Sequence, residues 1–333
     1  MTKIGYLAAL EQYQPPIALE HAKHAKRAGF DAIWATDHFH PWVHSGASAG
    51  FAWTWIASAA AQVQDISFGT AVSSPLGRYH PGLIAQGFST LSQLYPGRIV
   101  LGLGTGEAIN EIPLGYEFPD FRERHARMEE SLKIIRGLWD GKTLSSSGKY
   151  YPMKKARLYT KPTGKIPIYV AASGVKSAEL VGKYAEGLMT VSKLGVEPGP
   201  YLSMMMGAVK AGAKKAGRDP ALIDKSTLIK VSYDEDYDRA LKACRFWATT
   251  LIPWPIKTLM GDPVDVESMA RLISDDAIKA YFVVSNDPEE HLKKLKELVS
   301  AGYTNLIVHS TSPDQGKMTE VYGTKVIPHL RAD

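Results

Sequence analysis

Eight short apolar runs alternate with helix-periodic stretches along the chain, and this alternation constrains the fold more than any other feature. The runs are Ile4–Ala8, Ala32–Ala35, Ser67–Val72, Ile99–Leu103, Ile168–Ala171, Leu188–Val191, Leu228–Tyr233 and Leu306–His309. Most are rich in Val, Ile and Leu, as strands buried on both faces are. Helical patterns intervene, such as Ile17–Ala28 before Gly29, Phe51–Gln64 and Arg122–Trp139. Strand–helix alternation argues for a parallel sheet. Eight units in 333 residues fit a single-domain (β/α)₈ TIM barrel spanning 1–333, with insertions after strands. An open doubly wound sheet is the alternative. Residues 140–165, and a stretch beginning at Pro253-Trp254-Pro255, read as excursions from the alternation.

In such barrels the active site lies at the C-terminal ends of the strands. Glu11 follows strand one, Asp37-His38-Phe39-His40-Pro41-Trp42 strand two, Ser73-Ser74 strand three and Glu107 strand four. Four separate regions are thereby expected to converge. The loop after strand two carries the densest chemistry. His38 is a candidate acid–base, Asp37 a neighbour able to orient it, and Trp42 a flat apolar wall.

Gly104-Thr105-Gly106-Glu107 is glycine-rich, but it is not G-x-G-x-x-G and does not follow strand one, which argues against a nicotinamide site. The glycines permit close approach of backbone to a flat ligand. Ala172-Ser173-Gly174-Val175 opens a helix and serves equally as a plain turn or an anion site. His38, His40 and His44 lack a downstream His/Cys pair to complete a metal set, so no metal is expected. No G-x-S-x-G elbow supports a serine nucleophile.

The single cysteine, Cys244, cannot form an internal disulfide, which fits a reducing cytoplasm. A strand at the N-terminus leaves no room for a signal peptide, and no apolar run is long enough to span a membrane. The net charge of +5 suits an anionic cofactor or substrate, and its dispersed lysines do not suggest a nucleic-acid site. Phe51-Ala52-Trp53-Thr54-Trp55-Ile56 is more apolar than one barrel face requires, and predicts a homodimer.

Glu11-Gln12-Tyr13, Asp37-His38-Phe39-His40-Pro41-Trp42, Gly106-Glu107-Ala108-Ile109-Asn110-Glu111 and Arg245-Phe246-Trp247-Ala248 resemble the coenzyme F420-dependent dehydrogenases of the luciferase-like superfamily. The likeness runs over nearly the whole chain, closest to the secondary alcohol dehydrogenases and next to the glucose-6-phosphate dehydrogenases. It implies a TIM barrel that binds a deazaflavin across the strand ends and passes it a hydride from an alcohol carbon. It assigns His38 as the base, with Trp42 and Glu107 beside substrate and ring. The coenzyme site it implies comprises Asp37, Ala71, Val72, Thr105, Gly106, Glu107, Asn110, Ser173, Gly174 and Val175, with a non-proline cis bond at Ala71–Val72. The substrate pocket comprises Glu11, Trp42, Lys193, Lys230, Trp247 and Lys257. The sugar-phosphate branch clamps phosphate with Lys, His and Arg. Here Lys257 matches a lysine, Thr258 replaces the His, Tyr281 stands for the Arg, and Lys193 sits one position from the other lysine. Lys230 replaces an aromatic wall of the alcohol branch. A sugar-phosphate dehydrogenase, a flavin-using monooxygenase and a non-catalytic cofactor carrier are the competing readings.

Overall fold

The computed structural model describes residues 2–192 and 195–331. Eight parallel strands form the barrel: β1 (Lys3–Ala8), β2 (Ala32–Ala35), β3 (Ser67–Thr70), β4 (Ile99–Leu103), β5 (Ile168–Ala171), β6 (Gly187–Val191), β7 (Asp224–Tyr233) and β8 (Asn305–Ser310). Each pairs with its sequence neighbour, and β8 returns to β1 through Lys3↔Asn305 to Tyr6↔Val308. That last pairing closes the sheet and excludes the open doubly wound alternative.

Small residues let helices and interior aromatics approach the strands. The helix Pro15–Arg27 buries Ala18, Ala22 and Ala25, and Gly29 follows it at φ +90°. Inside the barrel, Trp34 fills space that neighbouring glycines leave free. A Cβ on Gly5 would stand 2.6 Å from its indole, and one on Gly69 2.7 Å. Tyr169 similarly occupies the space above Gly187. The barrel is thus a packed core rather than a pore.

Some boundaries differ from the sequence reading. β3 ends at Thr70, and the Ala71–Val72 bond that follows is cis, as expected. β7 begins four residues early, because the polar stretch Asp224–Thr227 pairs with β6, and from Ser226 also with β8, without any hydrophobic signal. The first excursion contains a hairpin, Leu144–Ser146 with Met153–Ala156. The second contains short helices at Trp254–Lys257, Pro263–Ala270 and Asp275–Lys279, then a strand, Val283–Ser285, beside the end of β7.

The aromatic helix does not carry the surplus surface that predicted a dimer. Ile56 is fully buried, and Trp55 is buried with its N–H donating to the Pro15 carbonyl at 3.0 Å. Trp53 stacks on Tyr79 at 4.5 Å. Only Phe51 of these aromatics is substantially exposed, at 46%. These side chains are used within the chain. Among the described residues no helix is long and apolar enough to cross a membrane.

Candidate active site

Three barrel strands deliver three titratable groups to one point. Glu11 follows β1, His38 follows β2 and Glu107 follows β4. His38 Nε2 lies 3.4 Å from Glu11 Oε1 and 3.3 Å from Glu107 Oε2. The Trp42 ring stands 5.4 Å from the imidazole. Glu11 is held from behind by the Thr36 hydroxyl, which donates to Oε2 and accepts from the Leu10 amide at 2.9 Å. Glu11 Oε1 and His38 Nδ1 are buried without a hydrogen bond, so the cluster carries unspent polar capacity.

Burial sets the protonation of this cluster. It pushes Glu11 up to about 7, against the Thr36 hydrogen bond and with small help from Glu107 and Asp37. Glu107 is also raised by burial, opposed by Lys257 and Lys230. His38 is driven down to about 3, first by burial and then by Arg78. The imidazole therefore does not keep its ordinary pKa. It is held neutral between carboxyls that retain protons more readily than usual.

Asp37 does not orient His38. Its carboxylate receives the Arg78 guanidinium, the Ser73 hydroxyl and, at 3.0 Å, the Tyr79 hydroxyl, and the residue is only 3% exposed. It braces the segment after β3 from below, as does Glu111, which accepts from the amides of Gly77 at 3.0 Å and Arg78 at 2.9 Å. Asn110 braces the loop after β2, with its Oδ1 accepting from the Phe39 amide at 2.8 Å. His40 meets the Gly261 carbonyl at 3.1 Å, and Glu267 accepts from the amides of His44 and Ser45, each at 2.9 Å. These contacts tie the second excursion to the β2 loop. Among the described residues no group of three or more His, Cys, Asp and Glu side chains is placed to hold a metal.

The glycines of β4 serve packing within the protein. A Cβ on Gly102 would fall 1.8 Å from the Thr70 carbonyl, and one on Gly104 2.5 Å from a Val72 methyl. Gly106 has φ +79°, and its Cβ would meet Ser74 at 2.8 Å. They admit the close approach of the Thr70–Ser74 segment. Val72, itself only partly buried, then forms an apolar shelf with the neighbouring Ala71, and Thr105 is half-buried nearby in sequence. At the end of β5, Ser173, Gly174 and Val175 are exposed. The helix Val175–Tyr184 starts there with no side-chain cap, and nothing lies within 4 Å of a Cβ placed on Gly174. Its first N–H groups are open to an anion.

Two lysines converge on Thr250. Lys230 Nζ donates to its hydroxyl at 2.5 Å, and Lys257 Nζ to its carbonyl at 3.1 Å. Lys257 also lies 5.1 Å over the Trp42 ring. Trp247 is 2% exposed, donates to Gln12 at 2.8 Å, packs edge-on to His309 and lies in the same apolar cluster as Trp42. The Thr258 hydroxyl turns to the Pro255 carbonyl at 2.7 Å. Lys193 lies outside the described residues. Sequence reasoning did not single out Thr36, Arg78 or Thr250. Thr36 was legible only as the residue between β2 and Asp37; the other two have no local signal.

The sequence model of the luciferase-like monooxygenase family matches residues 3–305. The chain belongs to this family. Among curated relatives it is 39% identical over 329 residues to an F420-dependent glucose-6-phosphate dehydrogenase of Microbacterium testaceum, covering 99% of this chain and 97% of that one. A like-named enzyme of Nakamurella multipartita is 38% identical over 330 residues, covering 99% and 97%. Among solved structures, an F420-dependent secondary alcohol dehydrogenase in complex with an F420–acetone adduct superposes with a TM-score of 0.93, at 38% identity over 99% of both chains.

Proposed function

We propose that the chain is an F420-dependent dehydrogenase that oxidises a secondary alcohol. The observation that carries this reading is the neutral His38, set between Glu11 and Glu107 at the mouth of a barrel that superposes on the alcohol dehydrogenase over 99% of its length. The residues present suit the coenzyme. The uncapped helix start at Ser173–Val175 offers N–H groups to its phosphate, and the shelf at Ala71–Val72 offers an apolar surface to its flat ring. Thr105, Gly106 and Glu107, next to that shelf, would border the same site. When bound, F420 supplies the hydride acceptor.

The chain's own residues handle the proton. His38 Nε2 is the ring nitrogen that meets the two carboxyls, 3.4 Å from Glu11 Oε1 and 3.3 Å from Glu107 Oε2. A hydroxyl placed there gives its proton to Nε2 as the hydride leaves the carbinol carbon. The imidazolium so formed stands against Glu11 and Glu107, to which the proton can pass. Trp42 excludes water from one side of the imidazole. The reading places the enzyme in the cytoplasm, in keeping with its one free, buried cysteine.

A sugar phosphate is the second reading, favoured by Lys257 and by the names of the curated relatives. Both readings need the same coenzyme. Titration followed by intrinsic tryptophan fluorescence should therefore show saturable binding of F420 and none of NADPH. Saturation by NADPH with no response to F420 would reject both.

A further inference from the structure

Lys230 and Lys257 are an unusual pair. Both ammonium groups are recessed in the mouth and share Thr250 as a hydrogen-bond partner. Among the described residues neither makes an ion pair. Glu107 acts on both through space but bonds to neither, and burial raises its own pKa, which weakens it as a counter-ion. Recessed cations without a counter-ion are costly, and an anionic ligand offsets that cost. Lys257 stands 5.1 Å over the Trp42 ring, which also lies 5.4 Å from the His38 imidazole, so one indole borders both a cation and the base.

We infer that the substrate alcohol is a hydroxycarboxylic acid whose carboxylate sits between Lys230 and Lys257 while its hydroxyl reaches His38. This inference rests on the alcohol oxidation proposed above. Each ammonium has three donors and spends one on Thr250, which leaves roughly four N–H bonds between them, matching the roughly four lone-pair sites of a carboxylate. A phosphate dianion brings more charge and more acceptors than the pair supplies. The other positions where a phosphate clamp was sought do not help. Thr258 is bonded to its own turn, and Tyr281 is 42% exposed. Burial and the neighbouring Lys257 push Lys230 down to about 7, so the empty pair carries less than two full charges near neutrality, again favouring a monoanion. The reaction balances as an alcohol oxidation: a hydride leaves the carbinol carbon for F420, the hydroxyl proton goes to His38, and a keto acid results.

The test uses 3-hydroxybutyrate, 2-butanol and glucose 6-phosphate with the full-length chain. Quenching of tryptophan fluorescence should report saturable binding of 3-hydroxybutyrate without coenzyme. Lys230→Met and Lys257→Met should each weaken that binding at least about tenfold, while Lys230→Arg keeps it within a few-fold. Turnover with F420 should favour 3-hydroxybutyrate over 2-butanol at least about tenfold, with the ratio collapsing in the methionine variants. Equal turnover of 2-butanol, a preference for glucose 6-phosphate, or a ratio unchanged in the folded lysine variants would overturn the inference. F420 reduction by 2-butanol without lysine dependence would sink the carboxylate seat and leave the dehydrogenase standing. Lysine-dependent binding of 3-hydroxybutyrate with no F420 binding would support the seat and sink the dehydrogenase.

Discussion

Replacing His38 with alanine should lower kcat by about 10²- to 10⁴-fold while the affinity for F420 stays nearly unchanged. The carbinol hydride leaves only as the hydroxyl proton departs, and Nε2 of His38 is the neutral nitrogen that faces the mouth. Its burial keeps the Nε2 lone pair free far below neutrality and makes the imidazolium it forms acidic enough to pass the proton on. Burial strengthens the hold of both neighbouring carboxyls on a proton, so they are where Nε2 passes it on. Steady-state assays on the purified variant, with F420 binding followed separately by fluorescence, check this. Near-native turnover would move the base to Glu11 or Glu107. Loss of F420 binding with the fold intact would make His38 a binding group instead.

The largest effect on stability should come from Asp37→Ala. The carboxylate is the partner of Arg78, a side chain only 9% exposed, and also serves Ser73 and Tyr79. Removing it strands a buried guanidinium and two hydroxyls. Breaking one side of a buried pair costs about 3–5 kcal/mol. For a chain of this length that corresponds to a fall in Tm of roughly 4–7 °C. Asp37→Asn should fall between the two, since it keeps an acceptor oxygen but loses the charge. Differential scanning calorimetry of the three proteins measures this directly. A Tm within a degree of the parent for the alanine variant would show that the Arg78 contact contributes little.

These contacts explain which parts of the molecule were readable from sequence. The barrel was legible because its strands are continuous apolar runs and its helices repeat at the helical period. The convergence of Glu11, His38 and Glu107 followed from the barrel itself, since each stands just past a strand end. What the sequence hid were partnerships across the fold. Asp37 and His38 are adjacent in the chain, yet their side chains serve different neighbours, and Asp37 is claimed by Arg78 from the loop after β3. Alternation along an extended segment turns neighbouring side chains apart, which adjacency alone does not reveal. The surroundings of Trp247 and Trp55 were hidden for a related reason. A large aromatic looks the same in sequence whether it lines a pocket, faces a second copy or fills the core, and only their neighbours, Gln12 and His309 for one and Pro15 for the other, decide it. The polar start of β7 went unseen because its pairing on both edges leaves no hydrophobic trace.

The central claim is that this barrel moves a hydride from an alcohol to F420. Anaerobic mixing of the purified protein with oxidised F420 and a panel of secondary alcohols, 3-hydroxybutyrate and glucose 6-phosphate tests it most directly. The account predicts loss of the visible absorbance of oxidised F420 with at least one member of the panel, matched mole for mole by the carbonyl product or, from the sugar phosphate, the lactone. Saturable F420 binding with an unchanged spectrum across the whole panel would contradict it.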